Sequence, residues 1–220
     1  VDRLVNTNWV ITSGFFGSHP GLRFSGDERF LAYTTTAAKV PADINGTYDV
    51  YLYDFQTGDH LLVSHSADGT AALGGVSDWP DISADGRFVS YRSAATNLVP
   101  NDLNGLPDIF LYDRQTGINT LLSKRRSGES SADGRSLAPV FSGNGRVLLF
   151  QSWSSDLAAQ DFNSTSDLFA FGLLYATIVP GNNPSEGSTI SWPAFPGKAY
   201  RVQYKDNLDA ATWLDVTGTV

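Results

Sequence analysis

Short runs of consecutive apolar residues recur along this chain at a fixed interval. The runs occupy residues 50–53, 109–112 and 168–171, so each run begins 59 residues after the previous one. A strand with one solvated face alternates apolar and polar side chains, whereas a strand that is apolar at every position must be covered on both faces. The pattern therefore predicts three equivalent strands, each buried between neighbouring layers of structure.

The residues around each run complete a repeat of four short strands. In the best-defined copy, the predicted strands are residues 79–82, 87–92, 109–112 and 119–122. Gly86 and Gly117 end the tight turns within this repeat, where glycine supplies the positive φ that a hairpin turn requires. Because no 3.6-residue period is sustained, a helical fold is excluded. The sequence predicts an all-β fold of β-propeller blades, with about three four-stranded repeats in an incomplete ring.

A polar loop precedes each apolar run, and we call these loops, residues 42–49, 101–108 and 160–167, the acidic loops. Each carries oxygen donors at the first, third and seventh positions, counted from its first aspartate: Asp43, Asn45 and Asp49; Asp102, Asn104 and Asp108; Asp161, Asn163 and Asp167. Hard oxygen ligands suit Ca²⁺, so these nine residues are candidate metal ligands and calcium is the candidate cofactor. The spacing lacks the further ligands of the twelve-residue calcium loop. The alternative is that these side chains cap their own backbone in Asx turns.

Three stretches of the second repeat carry a resemblance to a known family. They are SADGRF at residues 83–88, SAATNLVP at residues 93–100 and DIFLYDRQTG at residues 108–117. They resemble the blade motif of bacterial TolB-like (WD40-like) propellers, and the likeness extends over about residues 3 to 175. The resemblance implies an exported protein that is secreted, on the cell surface or in the periplasm. It leaves the function open, because propellers serve as scaffolds, binding platforms and enzyme domains alike.

Three blades do not close a ring, since a propeller needs about four to eight. Residues 4–6 align with residues 121–123, so the chain opens on a fourth strand, and the third copy lacks the turn that follows its apolar run. Either further blades lie upstream in a longer chain, or the N-terminal strand of one copy fills the last blade of another. In both cases the open sheet edges are predicted contact sites for another protein or for self-association.

The pattern changes near residue 175. Residues 180–184 form a turn-rich linker, and residues 189–192 and 200–204 alternate with the period of half-solvated strands. This stretch resembles the opening strands of a fibronectin type III-like module, a β-sandwich of which it contains roughly half. We therefore predict a propeller segment at residues 1–177 and a partial sandwich at residues 178–220.

Charge and composition exclude several classes of partner. The net charge of −8 and the pI near 4.7 disfavour binding to nucleic acid. No run of about eighteen apolar residues occurs, so the sequence predicts no membrane insertion through a helix. The chain has no cysteine, which excludes disulfides and thiolate metal sites.

Catalytic candidates are few. His60 and His65 flank one predicted strand at an odd separation, which points them to opposite faces, and His19 lies beside a turn. No nucleophile elbow, zinc spacing or phosphate loop is present. Four tryptophans are candidates either for sugar stacking or for the core: Trp9, Trp79, Trp153 and Trp213.

These observations favour a non-catalytic exported propeller that acts as a binding or assembly module at the cell surface or in an extracellular structure. Two alternatives stay open. One is an accessory propeller of a larger secreted hydrolase, and the other is a glycan-binding propeller.

Overall fold

The structure is a computed structural model that describes residues 21–161, 163, 165–173, 177–180, 188–192, 203–204, 212 and 214–215. Every regular element in these residues is a β-strand, which confirms the all-β class. Within these ranges there is no helix of the length and hydrophobicity needed to span a membrane. The chain divides into two compact units, the first ending at Leu173 and the second beginning at Leu174.

The described residues of the first unit form three antiparallel sheets, each ordered as its strands follow along the chain. The first sheet consists of β1 (Arg23–Phe24), β2 (Phe30–Thr35), β3 (Asp49–Asp54) and β4 (His60–Leu62). The second consists of β5 (Ser77–Ile82), β6 (Phe88–Ser93), β7 (Asp108–Asp113) and β8 (Ile118–Leu121). In the third, the described strands are β9 (Ser136–Phe141), β10 (Val147–Ser152) and β11 (Asp167–Gly172). The four-stranded meander that the sequence predicts is confirmed, with strand ends shifted by one or two residues.

Equivalent residues pair in the same way in each sheet. One aromatic pair joins the two central strands in every copy, with ring centres 5.6 to 5.8 Å apart: Tyr33 and Tyr51, Tyr91 and Phe110, Phe150 and Phe169. Stacked rings across a strand pair add stability beyond the area that they bury. The 59-residue period of the sequence is therefore a period of the structure.

The first two sheets share one hydrophobic cluster, to which their apolar central strands contribute. Val50 on β3 and Phe110 on β7 are fully buried and belong to one hydrophobic cluster, which also contains Val63, Ile82 and Val89. Burying an aliphatic or aromatic side chain of this size stabilises a fold by about 1.5–3 kcal/mol. Here both faces of the runs at residues 50–53 and 109–112 are covered, as their lack of alternation predicts.

The third apolar run does not follow this prediction. Leu168 on β11 is 70% exposed and Phe171 is 37% exposed, although the counterpart residues of β3 and β7 are buried. The reason lies in the neighbouring strands, since β11 is the outer strand of the third sheet among the described residues. The expectation of burial on both faces is therefore wrong for this copy.

The second unit contains two short strand pairs in its described residues. β12 (Thr177–Pro180) pairs with β13 (Ser188–Ser191), and β14 (Gln203–Tyr204) pairs with β15 (Leu214–Asp215). β13 and β14 overlap the two strands predicted at residues 189–192 and 200–204. The likeness to a fibronectin type III module and the domain boundary after residue 177 stay predictions. The predicted N-terminal strand at residues 4–6 lies outside the described residues.

Candidate functional site

The acidic loops occupy one position in the fold, between the second and third strands of each sheet. In the first loop, the side-chain amide of Asn45 donates to Asp49 Oδ2 at 2.6 Å and to the carbonyl of Ala72 at 2.7 Å. The other side-chain atom, Asn45 Oδ1, accepts the backbone N–H of Thr47 at 2.8 Å. This is an Asx turn whose amide also ties the loop to the chain that follows β4.

All three bonds recur in the second loop, and two of them recur in the third. Asn104 donates to Asp108 Oδ2 and to the carbonyl of Ala132, both at 2.8 Å, and accepts the N–H of Leu106 at 2.7 Å. In the third loop, Asn163 donates to Asp167 Oδ2 at 3.0 Å, and its Oδ1 accepts the N–H of Thr165 at 2.9 Å. In all three copies the asparagine therefore directs its amide, not its oxygen, toward the last aspartate.

Asp49 and Asp108 anchor the start of β3 and β7. Each is fully buried, and its Oδ1 accepts the hydroxyl of a serine, Ser64 in the first repeat and Ser123 in the second. Burial raises the pKa of Asp49 to about 6 and that of Asp108 to about 7, while the serine and asparagine hydrogen bonds lower both. The charge of Asp102 adds to the rise at Asp108.

The first aspartates of the loops differ among the copies. Asp43 is buried, and its Oδ2 accepts the hydroxyl of Tyr51. Asp102 is 3% exposed, and neither of its oxygens has a hydrogen-bond partner. Asp161 is half-buried. The nine predicted metal ligands thus form three separate sets, one in each loop.

Calcium at these loops stays a prediction. The observed bonds of Asn45, Asn104 and Asn163 are those of the Asx-turn alternative. Within the described ranges, no three histidine, aspartate or glutamate side chains lie close enough together to hold a metal. A cation would therefore need backbone or water oxygens in addition to the carboxylates.

The exposed face of the third sheet borders a cavity of about 530 Å³. Its described lining has an apolar side, which includes Phe150, Phe169 and Phe171, and a basic side formed by residues 124–126. Lys124 and Arg125 form ion pairs with Glu129 at 2.6 Å and Asp156 at 3.9 Å. Three basic side chains against these two carboxylates leave the rim with a net positive charge beside an apolar floor, an arrangement that suits an extended segment carrying acidic residues. The basic cluster at residues 124–126 is visible in the sequence, but its position beside this sheet is not.

The two histidines in the described residues lie apart and have different partners. His60 on β4 shares a hydrogen bond of 2.6 Å with the hydroxyl of Tyr33, and burial lowers its pKa. His65 lies beyond the end of β4, and its Nδ1 contacts the carbonyl of Ser66 at 2.8 Å. β4 ends at Leu62, so the prediction from an odd separation within one strand does not apply to His65. His19 lies outside the described residues.

The tryptophans in the described residues are half-buried. Trp79 lies under the guanidinium of Arg92 at 5.6 Å, and Trp153 under that of Arg135 at 4.3 Å. These contacts place an arginine over one face of each ring, so that face is not available to a sugar. Trp9 and Trp213 lie outside the described residues.

A second cavity, of about 280 Å³, lies where β1, β5 and β9 meet, at residues that are not among the predicted site residues. Asp81 joins the three sheets there, because its Oδ2 accepts the N–H of Phe141 at 2.7 Å and its Oδ1 lies 3.6 Å from Arg23 Nε. Trp79 and Ala138 adopt positive φ at equivalent bulged positions. A proline follows each of them, at positions 59 residues apart, and these prolines are the sequence feature that marks the two bulges.

No family model and no curated protein matches this chain. Among solved structures, it is similar to a putative TolB from Agrobacterium tumefaciens at 17% identity and a TM-score of 0.42, over 77% of this chain and 53% of that one. It is also similar to TolB from Acinetobacter baumannii (18%, TM-score 0.38, over 83% and 39%) and to the β-propeller domain of the Trilobed protease from Pyrococcus furiosus (12%, TM-score 0.38, over 87% and 50%). The chain spans about half or less of the length of each. A likeness at these identities concerns the fold alone.

Proposed function

We propose that this protein is a non-catalytic, exported propeller segment that acts as a binding and assembly module. The observation that carries the proposal is the exposed outer strand of the third sheet. Leu168 and Phe171 on β11 present apolar surface where the matching positions of the other two sheets are buried. An exposed apolar strand at a sheet edge is a template for pairing with another strand.

The second sheet shows how a fourth strand covers the equivalent edge. In the second sheet, β8 pairs with β7, and Asn119 on β8 donates its amide to the carbonyls of Val63 and His65, both at 2.8 Å. The sequence counterparts of these two carbonyl residues are Leu122 and Lys124, which line the cavity beside β11. The cavity therefore lies where a fourth strand would contact the preceding sheet.

We assign this place to the N-terminal strand of a second copy. Leu4 is the counterpart of Leu121, which pairs with Phe110, so Leu4 would pair with Phe169. In the same register Asp2 replaces Asn119 and would lie beside the basic residues 124–126. Charge complementarity thus supports self-association by strand exchange. The exported location is proposed from the sequence resemblance.

Measurement of the oligomeric state over a range of concentrations tests this proposal. Sedimentation velocity of the wild-type chain is expected to show a concentration-dependent oligomer. Leu168→Lys places a charge on the edge strand and is expected to give monomers, whereas Ile44→Lys, at a somewhat more exposed position in the first acidic loop, leaves the oligomer unchanged. A wild-type chain that stays monomeric, or an oligomer that withstands Leu168→Lys, contradicts the proposal.

A charge exchange identifies the strand. Asp2→Lys is expected to weaken association, and adding Lys124→Glu to the same chain is expected to restore it. If Leu168→Lys abolishes association and Asp2→Lys has no effect, the edge is the contact but its occupant is a different segment. Such a result overturns the assignment to the N-terminal strand.

A further inference from the structure

Asp102 in the second acidic loop is a buried carboxylate whose two oxygens accept no hydrogen bond of standard geometry from the residues that the structure describes. Its side chain is 3% exposed, and neither Oδ1 nor Oδ2 accepts a hydrogen bond. Burying an ionised carboxylate without a compensating group is strongly unfavourable. Something besides the described hydrogen bonds must therefore compensate Asp102.

A comparison of the repeats shows which hydrogen-bond donor Asp43 has and Asp102 lacks. In the first repeat the hydroxyl of Tyr51 donates to Asp43. The counterpart of Tyr51, 59 residues later, is Phe110, which is fully buried at the matching position and has no hydroxyl. The two acidic loops otherwise share their asparagine bonds. The loss of one oxygen atom thus separates a satisfied aspartate from an unsatisfied one.

The second loop compensates for this loss only in part. The hydroxyl oxygen of Ser131 accepts the N–H groups of Leu103 at 3.0 Å and Asn104 at 3.2 Å. Burial raises the pKa of Asp102, and interactions with the backbone N–H of Asn104 and the hydroxyl of Ser131 lower it. A second buried carboxylate, Asp108, is close enough for the charge of Asp102 to act on it. Among the described residues, neither of these two buried acids forms an ion pair with a basic side chain, which makes the loop electronegative.

We propose that the second acidic loop binds a hard cation of the Ca²⁺ type through the carboxylate of Asp102, while the first loop binds none. The hydroxyl of Tyr51 takes the place of the cation in the first loop. Asn104 and Asp108 stay in their hydrogen bonds and contribute shape and charge to the second. A cation held by one carboxylate, with neutral oxygens as its other ligands, binds weakly. We therefore expect a Kd of about 10⁻⁴ to 10⁻³ M, in the range of extracellular calcium modules.

The two loops provide matched variants for the test. Melting temperatures are measured in CaCl₂ and in EDTA at equal ionic strength. We expect calcium to raise the melting temperature of the wild-type chain by about 2–4 °C at concentrations well above Kd. Asp102→Asn is expected to abolish this shift and Asp43→Asn to keep it. Isothermal titration should give one site per chain, with affinity reduced at least about tenfold in Asp102→Asn.

Phe110→Tyr keeps the test decisive if Asp102→Asn fails to fold. The new hydroxyl should reach Asp102 as that of Tyr51 reaches Asp43, so this variant is expected to melt at a higher temperature in EDTA and to lose the calcium shift. A wild-type chain that does not respond to calcium overturns the proposal. So does a response that survives Asp102→Asn or Phe110→Tyr, or one that Asp43→Asn removes.

Discussion

The guanidinium of Arg87 holds the carboxylate of Asp113 through two parallel hydrogen bonds, from Nε at 3.0 Å and from Nη2 at 2.8 Å. The pair joins the residue before β6 to the end of β7 and is largely buried. The first repeat has the same pair in Arg29 and Asp54. In the third repeat the counterpart of the aspartate is Gly172, so this clamp is absent there.

Removing this clamp should weaken the second blade. Arg87→Ala is expected to lower the free energy of unfolding by about 1–3 kcal/mol, because charge-assisted bidentate bonds are stronger than ordinary exposed ion pairs. Arg146→Ala makes the same change at the exposed counterpart in the third repeat and should have an effect below about 0.5 kcal/mol. Urea denaturation followed by tryptophan fluorescence measures both. Equal losses of unfolding free energy in the two variants would show that the Arg87–Asp113 pair does not stabilise the second blade.

Backbone conformation requires glycine at positions 86 and 117, and packing against the first sheet requires it at position 86 as well. Both adopt a φ near +70°, which other residues reach at a cost of about 1–2 kcal/mol. A Cβ atom at Gly86 would also lie 2.5 Å from Cδ2 of Phe30 in the first sheet, whereas one at Gly117 meets nothing within 4 Å. Gly86→Ala should therefore destabilise the protein by about 1–3 kcal/mol more than Gly117→Ala. Chemical denaturation of the two variants in parallel checks this, and similar losses would rule out a tight contact between the sheets at Phe30.

Asn119 connects the second sheet to the first. Its amide donates to the carbonyls of Val63 and His65, and its Oδ1 accepts the hydroxyl of Tyr91 at 2.8 Å. Asn119→Asp replaces the amide by an oxygen that faces two carbonyls, and we expect a loss of about 2–4 kcal/mol. Asn144→Asp makes the same chemical change at a turn where the other repeats already have aspartate, and should be nearly neutral. Thermal unfolding of both variants measures the difference, and a stable Asn119→Asp would contradict the bridging role.

The buried carboxylate of Asp49 should make stability depend on pH. Its pKa is raised in the folded state to about 6, above the ordinary value of 3.8. The stability that protonated Asp49 contributes is therefore fully present below the ordinary pKa and is lost as the pH rises through 6. For Asp49 alone, the unfolding free energy should fall by about 2–3 kcal/mol between about pH 4 and pH 7. Asp49→Asn should flatten this part of the profile, and the exposed Asp59→Asn should not. Urea denaturation at several pH values tests this, and an unchanged slope in Asp49→Asn would refute it.

Much of the blade architecture could be predicted from the residues alone. The spacing of the apolar runs and the turn glycines predicts the strands to within one or two residues, because alternation and turn chemistry are local properties. The acidic loops were also recognisable as equivalent. The hydrogen bonds of these loops could not be predicted. Whether Asn45 presents its amide or its oxygen depends on Ala72, which lies 27 residues away in the chain.

By itself, the sequence determined that this chain is a repeat of four-stranded sheets with matched loops, since period, alternation and turn residues act over short stretches of chain. The tertiary structure alone decided that Leu168 is exposed while Ile109, in an identical pattern, is buried. It also decided that Asp102 lacks the partner that Asp43 has. Burial and hydrogen-bond satisfaction depend on which strands and side chains arrive from elsewhere in the chain, and the local pattern does not record them.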